Sequence, residues 1–280
     1  MARSDRSQWA RLDVDGVDVL ADLAAGVHLA RPLRFQEPQL CCFGADAPSS
    51  SALRFGHFNG RVSDGASCNA SVVRFAPHAH LTHTECVAHL TIEPLDAWRV
   101  VPQRLLMAVL VSLQPTPAGA TEDASVPAPQ AGDELLTRTA LRDAWPAPPS
   151  ARLAARAAVI RTLPNEPDRF TGERSGVPPY LSAQAVEELM TRGIAHLVID
   201  LPSLDRIEDG GALTAHRLFF GLPPAGRQLS QAQRPDCTVT ELAYVDNGLP
   251  DGWYLLSLQT PCIDGDAVAS RPVLYPLRLP

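Results

Sequence analysis

Hydrophobic residues in this chain fall mostly into short runs of strand length, separated by turns. Leu105-Leu106-Met107-Ala108-Val109-Leu110-Val111-Ser112-Leu113 is a continuous apolar run, the pattern of a strand covered on both faces. Residues 69–75 alternate and carry β-branched side chains, which predicts a strand that Pro77 ends or bends. Further strands are predicted at 157–162, 196–200, 239–242, 253–258 and 272–277. Residues 18–23 fit a strand or a helical turn equally well, and 41–66, rich in Gly, Ser and Asp, read as loops with one short strand at most.

Helical signals are fewer. Residues 134–144 fit a short helix. Ser182 can cap a helix running through Ala183 to Met190, with Gly193 at its stop. Residues 215–221 form a short amphipathic segment closed by glycine. The Pro/Ala/Gly-rich stretch 115–132 reads as an exposed, mobile loop within a domain and not as a linker between two. The pattern predicts an α/β fold, a single domain over residues 1–280 with strands mixed among few helices.

Composition narrows the function classes. With 280 residues, 45% of them hydrophobic, the chain can bury a substantial core. It has no lysine, its arginines are scattered, and its formal net charge is −7, so no basic stripe for nucleic acid is expected. No apolar run approaches the roughly 18 residues of a membrane span. The polar first nine residues do not resemble a signal peptide. Six cysteines without CxxC spacing read as free thiols, which suits a cytoplasmic protein.

Residues 77–89, Pro-His-Ala-His-Leu-Thr-His-Thr-Glu-Cys-Val-Ala-His, change the picture. They hold four of the eight histidines together with Glu85 and Cys86. Imidazole is a common metal ligand and a general base near neutral pH. The candidate donors are His78, His80, His83, Glu85, Cys86 and His89. A helix capped by Thr84 would place Glu85 and His89 four apart on one face. Nitrogen and carboxylate donors suit Zn²⁺, Mn²⁺ or Fe²⁺. The same density also fits a structural zinc site or chance, and Cys86 reads more simply as a packing residue than as a nucleophile.

The stretch resembles the metal-binding signature of the cyclase/kynurenine formamidase family of hydrolases, His-x-Gly-Thr-His-x-Asp-x-Pro-x-His. Thr82-His83, Glu85 and His89 match it in spacing. Leu197-Val198-Ile199-Asp200-Leu201-Pro202-Ser203-Leu204-Asp205 is similar to the family's Ile-Asp-Thr-Pro-Ser-Leu-Asp strand end. His216-Arg217-Leu218-Phe219-Phe220-Gly221 is similar to its His-Arg-x-Leu-Leu-Gly, and Glu241 to the Glu of its Glu-x-Leu. Pro179-Tyr180-Leu181-Ser182 and Asn247-Gly248-Leu249-Pro250 agree as well. The likeness runs from about Asn69 to the C-terminus. Spacing alone leaves both His78 and His80 as first ligand. A branch reading Pro-His-x-Asn-Gly-Thr-His-Thr-Glu-Cys-x-Gly-His aligns with His78. His80-Leu81 replace Asn-Gly of that branch, while Glu85 and Val87 replace the Asp and Pro of the general signature.

The resemblance implies a swivelling β/β/α fold with a mixed sheet, and one or two divalent metals, Zn or Mn, per chain. His78, His83 and Glu85 would bind one metal. Glu85, His216 and Glu241 would form a second site. His89 would act as acid/base, with Glu241 also at the catalytic centre. Asp200 and Ser203 would support the ligands or form an ordinary polar turn at the strand end, and Trp98, Phe219 and Phe220 would line an aromatic pocket or pack the core. The implied activity is hydrolysis of an amide or cyclic amide, as in conversion of N-formylkynurenine to kynurenine and formate, by a homodimer or homotetramer. The rivals are a same-fold hydrolase of isatin-like rings, lactones or esters, a non-catalytic metal-binding protein, and a thiol hydrolase using Cys86.

Overall fold

The computed structural model describes residues 8–14, 16–37, 39, 41–166 and 176–280. The polar N-terminal stretch before Gln8 lies outside the described residues. The N-terminal strands are β1 (Trp9–Val14), β2 (Val17–Asp22), β3 (Val27–His28), β4 (Ser49–Ala52), β5 (Arg54–Phe55), β6 (Phe58–Asn59) and β7 (Ser71–Arg74). Then come β8 (His83–Glu85), β9 (Leu106–Leu113), β10 (Thr116–Pro117), β11 (Glu134–Leu136), β12 (Ala157–Thr162) and β13 (Tyr180–Leu181). The chain closes with β14 (His196–Ile199), β15 (Thr238–Glu241), β16 (Gly252–Ser257), β17 (Ala267–Ala269) and β18 (Val273–Arg278). The helices are short: α1 (Pro77–His80), α2 (Ala97–Val100), α3 (Arg138–Ala144), α4 (Ala183–Thr191) and α5 (Thr214–Phe220).

One mixed sheet of 11 strands organises the fold, in the order β1-β2-β18-β16-β9-β12-β14-β15-β8-β17, with β3 beside β18. Its centre, β9-β12-β14-β15, is parallel. The flanks, β16 and β18 on one side and β8 and β17 on the other, run antiparallel. The architecture is α/β with a large mixed sheet and few helices.

The long apolar run of β9 has a packing reason. Val109 and Val111 join the core under the helices, with Ile160, Leu197, Leu189 and Phe220. Ala108 and Leu110, facing the other way, join a second core with Val159, Val198 and Leu256. Alternate residues point to opposite faces, and here both faces are covered. Ser182 caps α4 as its sequence suggests, its hydroxyl accepting from Ala185 N at 3.0 Å. Gly221 ends α5 at φ +65°, a left-handed conformation open to glycine.

Three local readings change. Residues 134–136 are strand, not helix, because Leu135 and Leu136 pair with β10 and β13; the helix begins after the Thr137 cap. The strand expected at 69–75 shortens to Ser71–Arg74 and, among the described residues, pairs only with β4; its side chains are exposed. Residues 41–66 hold three short strands. The stretch 115–132 is largely irregular and exposed, with Asp123 accepting from Ser182 Oγ and Arg138 N. No helix among the described residues is long and apolar enough to cross a membrane.

Phe220 is fully buried between α5 and the sheet. Phe220→Ala is expected to lower unfolding stability by about 3–5 kcal/mol, measured by urea denaturation.

Candidate metal centre

Strand pairing assembles half of the site. His83 and Glu85 are two apart on β8 and therefore share one face. Register sets Glu241 of β15 opposite His83, on that same face. Thr84 and Thr240 are likewise paired on the other face, their hydroxyls 2.7 Å apart. Thr84 is thus an interior strand residue and not the helix cap expected. A single 3-10 turn, Val87–Leu90, follows, and it still brings His89 Nδ1 to 3.9 Å from Glu85 Oε2.

Helix α1 separates the two candidate first ligands. It opens with Pro77 at its first position, where no amide hydrogen is needed. His78 points inward, Nδ1 3.3 Å from Glu85 Oε2. His80 faces away: Nδ1 accepts from Ala76 N at 2.9 Å and Nε2 lies 2.9 Å from Asp46 O. The structure brings His78 into the cluster and leaves His80 outside it.

Helix α5 delivers His216. Asp205 grips the start of this helix, accepting from Ala215 N at 2.7 Å and His216 N at 3.1 Å. It also lies 2.7 Å from His216 Nδ1. Nε2 is thereby turned inward, 3.1 Å from Glu85 Oε1 and 3.2 Å from Glu241 Oε1. His83 is held in the same manner, Nδ1 3.0 Å from Leu81 O and Nε2 3.4 Å from Glu241 Oε2.

Among the described residues three donor triads result, His78/His83/Glu85, Glu85/His216/Glu241 and His78/His89/Asp266, each with its ligand atoms within 4.8 Å of one another. Glu85 belongs to the first two. Among the described residues, His83 Nε2, His216 Nε2 and both Glu85 oxygens are buried without a hydrogen-bond partner. They lie near one another but are not aligned as donors and acceptors. Buried polar atoms almost always have partners. Several orphans converging on one point fit a cation, and nitrogen plus carboxylate donors fit Zn²⁺ or Mn²⁺.

The charges agree. Burial opposes ionisation of Glu85, but the charges of His89 and His216 hold it well below the usual carboxylate range. Burial and the nearby Glu85 both oppose ionisation of Glu241, and the close imidazoles of His216 and His83 outweigh them and lower it. Burial disfavours protonated His216, yet Glu85 and Asp205 raise it well above its ordinary value. For His78 burial is likewise overcome, by Asp266 and Glu85, to about 10. In the metal-free chain, protons supply positive charge that a divalent ion would otherwise bring.

The cluster opens on a cavity of about 330 Å³ lined by His78, His89, His216, Phe43, Ser203 and Leu213, among others. Phe43, Leu213 and Leu242, the residue after Glu241, are non-glycine residues in left-handed conformation. Such strain gathers at functional sites, where surrounding structure enforces it.

A family model for cyclases matches residues 23–206. This chain belongs to the cyclase family. No curated protein matches it in sequence. Among solved structures it is similar to an isatin hydrolase bound to the product analogue thioisatinate, with TM-score 0.58, 18% identity, and 91% of this chain and 93% of that one covered. It is also similar to isatin hydrolase A from Labrenzia aggregata bound to benzyl benzoate (TM-score 0.56, 15% identity, coverage 90% and 95%). A third likeness is to a predicted metal-dependent hydrolase from Bacillus stearothermophilus (TM-score 0.55, 14% identity, coverage 89% and 97%). At these identities the shared property is the fold.

The remaining candidates of this cyclase-family chain separate clearly. Asp200 clamps strands together, its two oxygens accepting from Thr162 N at 2.8 Å and Thr162 Oγ1 at 2.7 Å. Ser203 lines the cavity. Phe219 and Phe220 are core. Trp98 lies at a different hollow, beside Pro102 and Cys262. Cys86 is buried, with Sγ 3.2 Å from Leu95 O, and burial pushes its thiol up to about 11, far from a nucleophilic thiolate.

Sequence reasoning missed Asp266, Phe43 and the role of Asp205. Asp205 stood in a matched motif, but α5 begins only at Thr214, and the fold alone brings the carboxylate to the helix start. Asp266 and Phe43 stand in unremarkable loops, and only tertiary contact brings them in.

Metal uptake should displace the His78 proton, so apparent affinity is expected to rise with pH through the neutral range toward about 10. Calorimetric Zn²⁺ titration near neutral pH, in buffers of different ionisation enthalpy, measures the proton release. Binding without any release would remove His78 from the ligand set.

Proposed function

We propose that this protein is a metal-dependent hydrolase acting on the carbon–nitrogen bond of an amide or cyclic amide. The observation that carries it is the set of buried, unpartnered atoms on His83, Glu85 and His216 beside a cavity. His78, His83, Glu85, His216 and Glu241 would hold one or two Zn²⁺ or Mn²⁺ ions. A divalent metal bound there supplies an activated water near neutral pH and polarises a carbonyl.

The chain's own residues supply the rest. His89 borders the cavity, free of the tight packing around His83 and His216. As acid/base it takes a proton from the attacking water and returns it to the departing nitrogen as the C–N bond breaks. That return is needed because an amide anion is a very poor leaving group. Leu204 N donates to Glu241 Oε1 at 3.1 Å and steadies the second carboxylate. Phe43 offers an aromatic wall, and the cavity volume suits a small substrate.

N-formylkynurenine, giving kynurenine and formate, is the substrate type we favour from the motif resemblance. The isatin hydrolases of the same fold make a cyclic amide the second reading. We read the protein as cytoplasmic and as a homodimer or homotetramer. Its six free cysteines support the first, and exposed Phe55, Val72 and Val73 support the second.

Metal analysis, followed by assays on N-formylkynurenine, isatin, a lactone and an ester with and without chelator, tests this. Stoichiometric metal and chelator-sensitive turnover of an amide are expected. His89→Ala should lower kcat roughly 10²–10⁴-fold. Bound metal with no turnover of any compound would favour a binding protein, and full activity in His89→Ala or Glu241→Ala would overturn the roles given to them.

A further inference from the structure

We propose that Asp266 is a positioning residue that sets the orientation of two histidines at once, the metal-facing His78 and the acid/base His89. The inference rests on the metal-dependent reading above. It starts from a single atom. Asp266 Oδ2 lies 3.0 Å from His78 Nε2 and 3.0 Å from His89 Nδ1. A carboxylate oxygen can accept from two donors, so both rings can donate their N–H to it. The consequence for each ring is specific. His78 keeps Nδ1 free, the atom that faces Glu85 Oε2 at 3.3 Å. His89 keeps Nε2 free on a ring that borders the cavity, ready to take or give a proton.

The other two histidines of the cluster follow the same plan with different acceptors. Leu81 O holds Nδ1 of His83, and Asp205 Oδ2 holds Nδ1 of His216. Metal-facing histidines commonly have their second nitrogen fixed by an oxygen, which selects the tautomer and the ring plane. Asp266 completes that pattern for His78 and extends it to His89. Rings of His78 and His89 lie 4.5 Å apart centre to centre, close enough for one carboxylate to bridge them.

The backbone holds Asp266 in place. Its carbonyl accepts from Cys86 N at 3.0 Å, one residue beyond Glu85. The next residue, Ala267, pairs with Glu85 across β17 and β8. On the other side, Gly265 adopts φ +148°, its carbonyl accepting from Ala97 N at 2.8 Å. A side chain between two such anchors is aimed before any ligand arrives.

The test uses the full chain with Zn²⁺ as probe and three variants, Asp266→Ala, Asp266→Asn and Asp266→Glu. Three quantities are read: Zn²⁺ affinity by competition with a chromophoric chelator, kcat and KM separately, and ¹⁵N shifts of the histidine rings in the zinc-loaded protein. Asp266→Ala should weaken Zn²⁺ binding and lower kcat, each roughly 10–100-fold, while KM changes little. The ¹⁵N signals of His78 and His89 should both move. Asp266→Asn keeps an acceptor oxygen and nearly the same shape, so it should fall between wild type and Ala. If Ala misfolds, the Asn and Glu variants carry the comparison. Zinc affinity, kcat and ring signals that all match wild type in every folded variant would overturn the assignment of Asp266 alone. A wild-type chain that takes up neither zinc nor manganese would overturn the metal-dependent reading, and with it this role.

Discussion

Glu85 and Glu241 are two buried carboxylates on neighbouring strands, both within about hydrogen-bond reach of the same imidazole nitrogen of His216. Burying one unpaired carboxylate is costly, and burying two together adds their repulsion. The cluster around them meets that cost in part with positive charge on His78 and His216, whose protonated forms the carboxylates favour. Four imidazoles, His78, His83, His89 and His216, surround them, and two further acids, Asp205 and Asp266, hold the imidazoles in turn. Remove the positive charge and this core would favour protonated acids or a loosened sheet. The arrangement makes sense as a cage whose natural occupant is a cation.

The sheet makes such a cage possible. β8 is only three residues long, yet it is paired on both sides, by β15 and β17. Pairing in register converts the alternation of one strand into a shared polar face across neighbours. A one-residue slip of β8 would bury Thr84 there and send His83 and Glu85 to the far side. The hydrogen-bonded Thr84 and Thr240 hydroxyls secure the opposite face and resist that slip. Helix α5 then adds His216 from above, with Asp205 serving both the helix start and the ring.

The same geometry separates roles that composition would have blurred. Cys86 sits beside a candidate ligand in sequence, but strand alternation turns it away from Glu85 and into a small core with Ala97 and Val268. Asp200 ends a matched strand motif, yet its carboxylate ties β14 to Thr162 at the end of β12. Proximity along the chain is therefore a poor guide here, while membership of one strand face is a good one.

Much was legible in the residues themselves. The apolar run of β9, the Ser182 cap and the Gly221 stop are local signals, because backbone geometry and side-chain burial act within a few residues. The candidate site residues His83, Glu85, His89, His216 and Glu241 stood in motifs with characteristic spacing, and the fold brings them together. What the chain alone left open was decided by contacts between residues far apart in sequence. The turn of α1 chose His78 over His80 by sending one ring inward and the other to Asp46. Pairing with β10 and β13 made residues 134–136 a strand against their helical composition. Asp266, 188 positions from His78, entered the site only because β17 lies along β8. Local sequence specifies which atoms can bind or catalyse; only the folded sheet specifies which of them meet, since hydrogen-bond register and helix docking are properties of pairs of segments and not of either one alone.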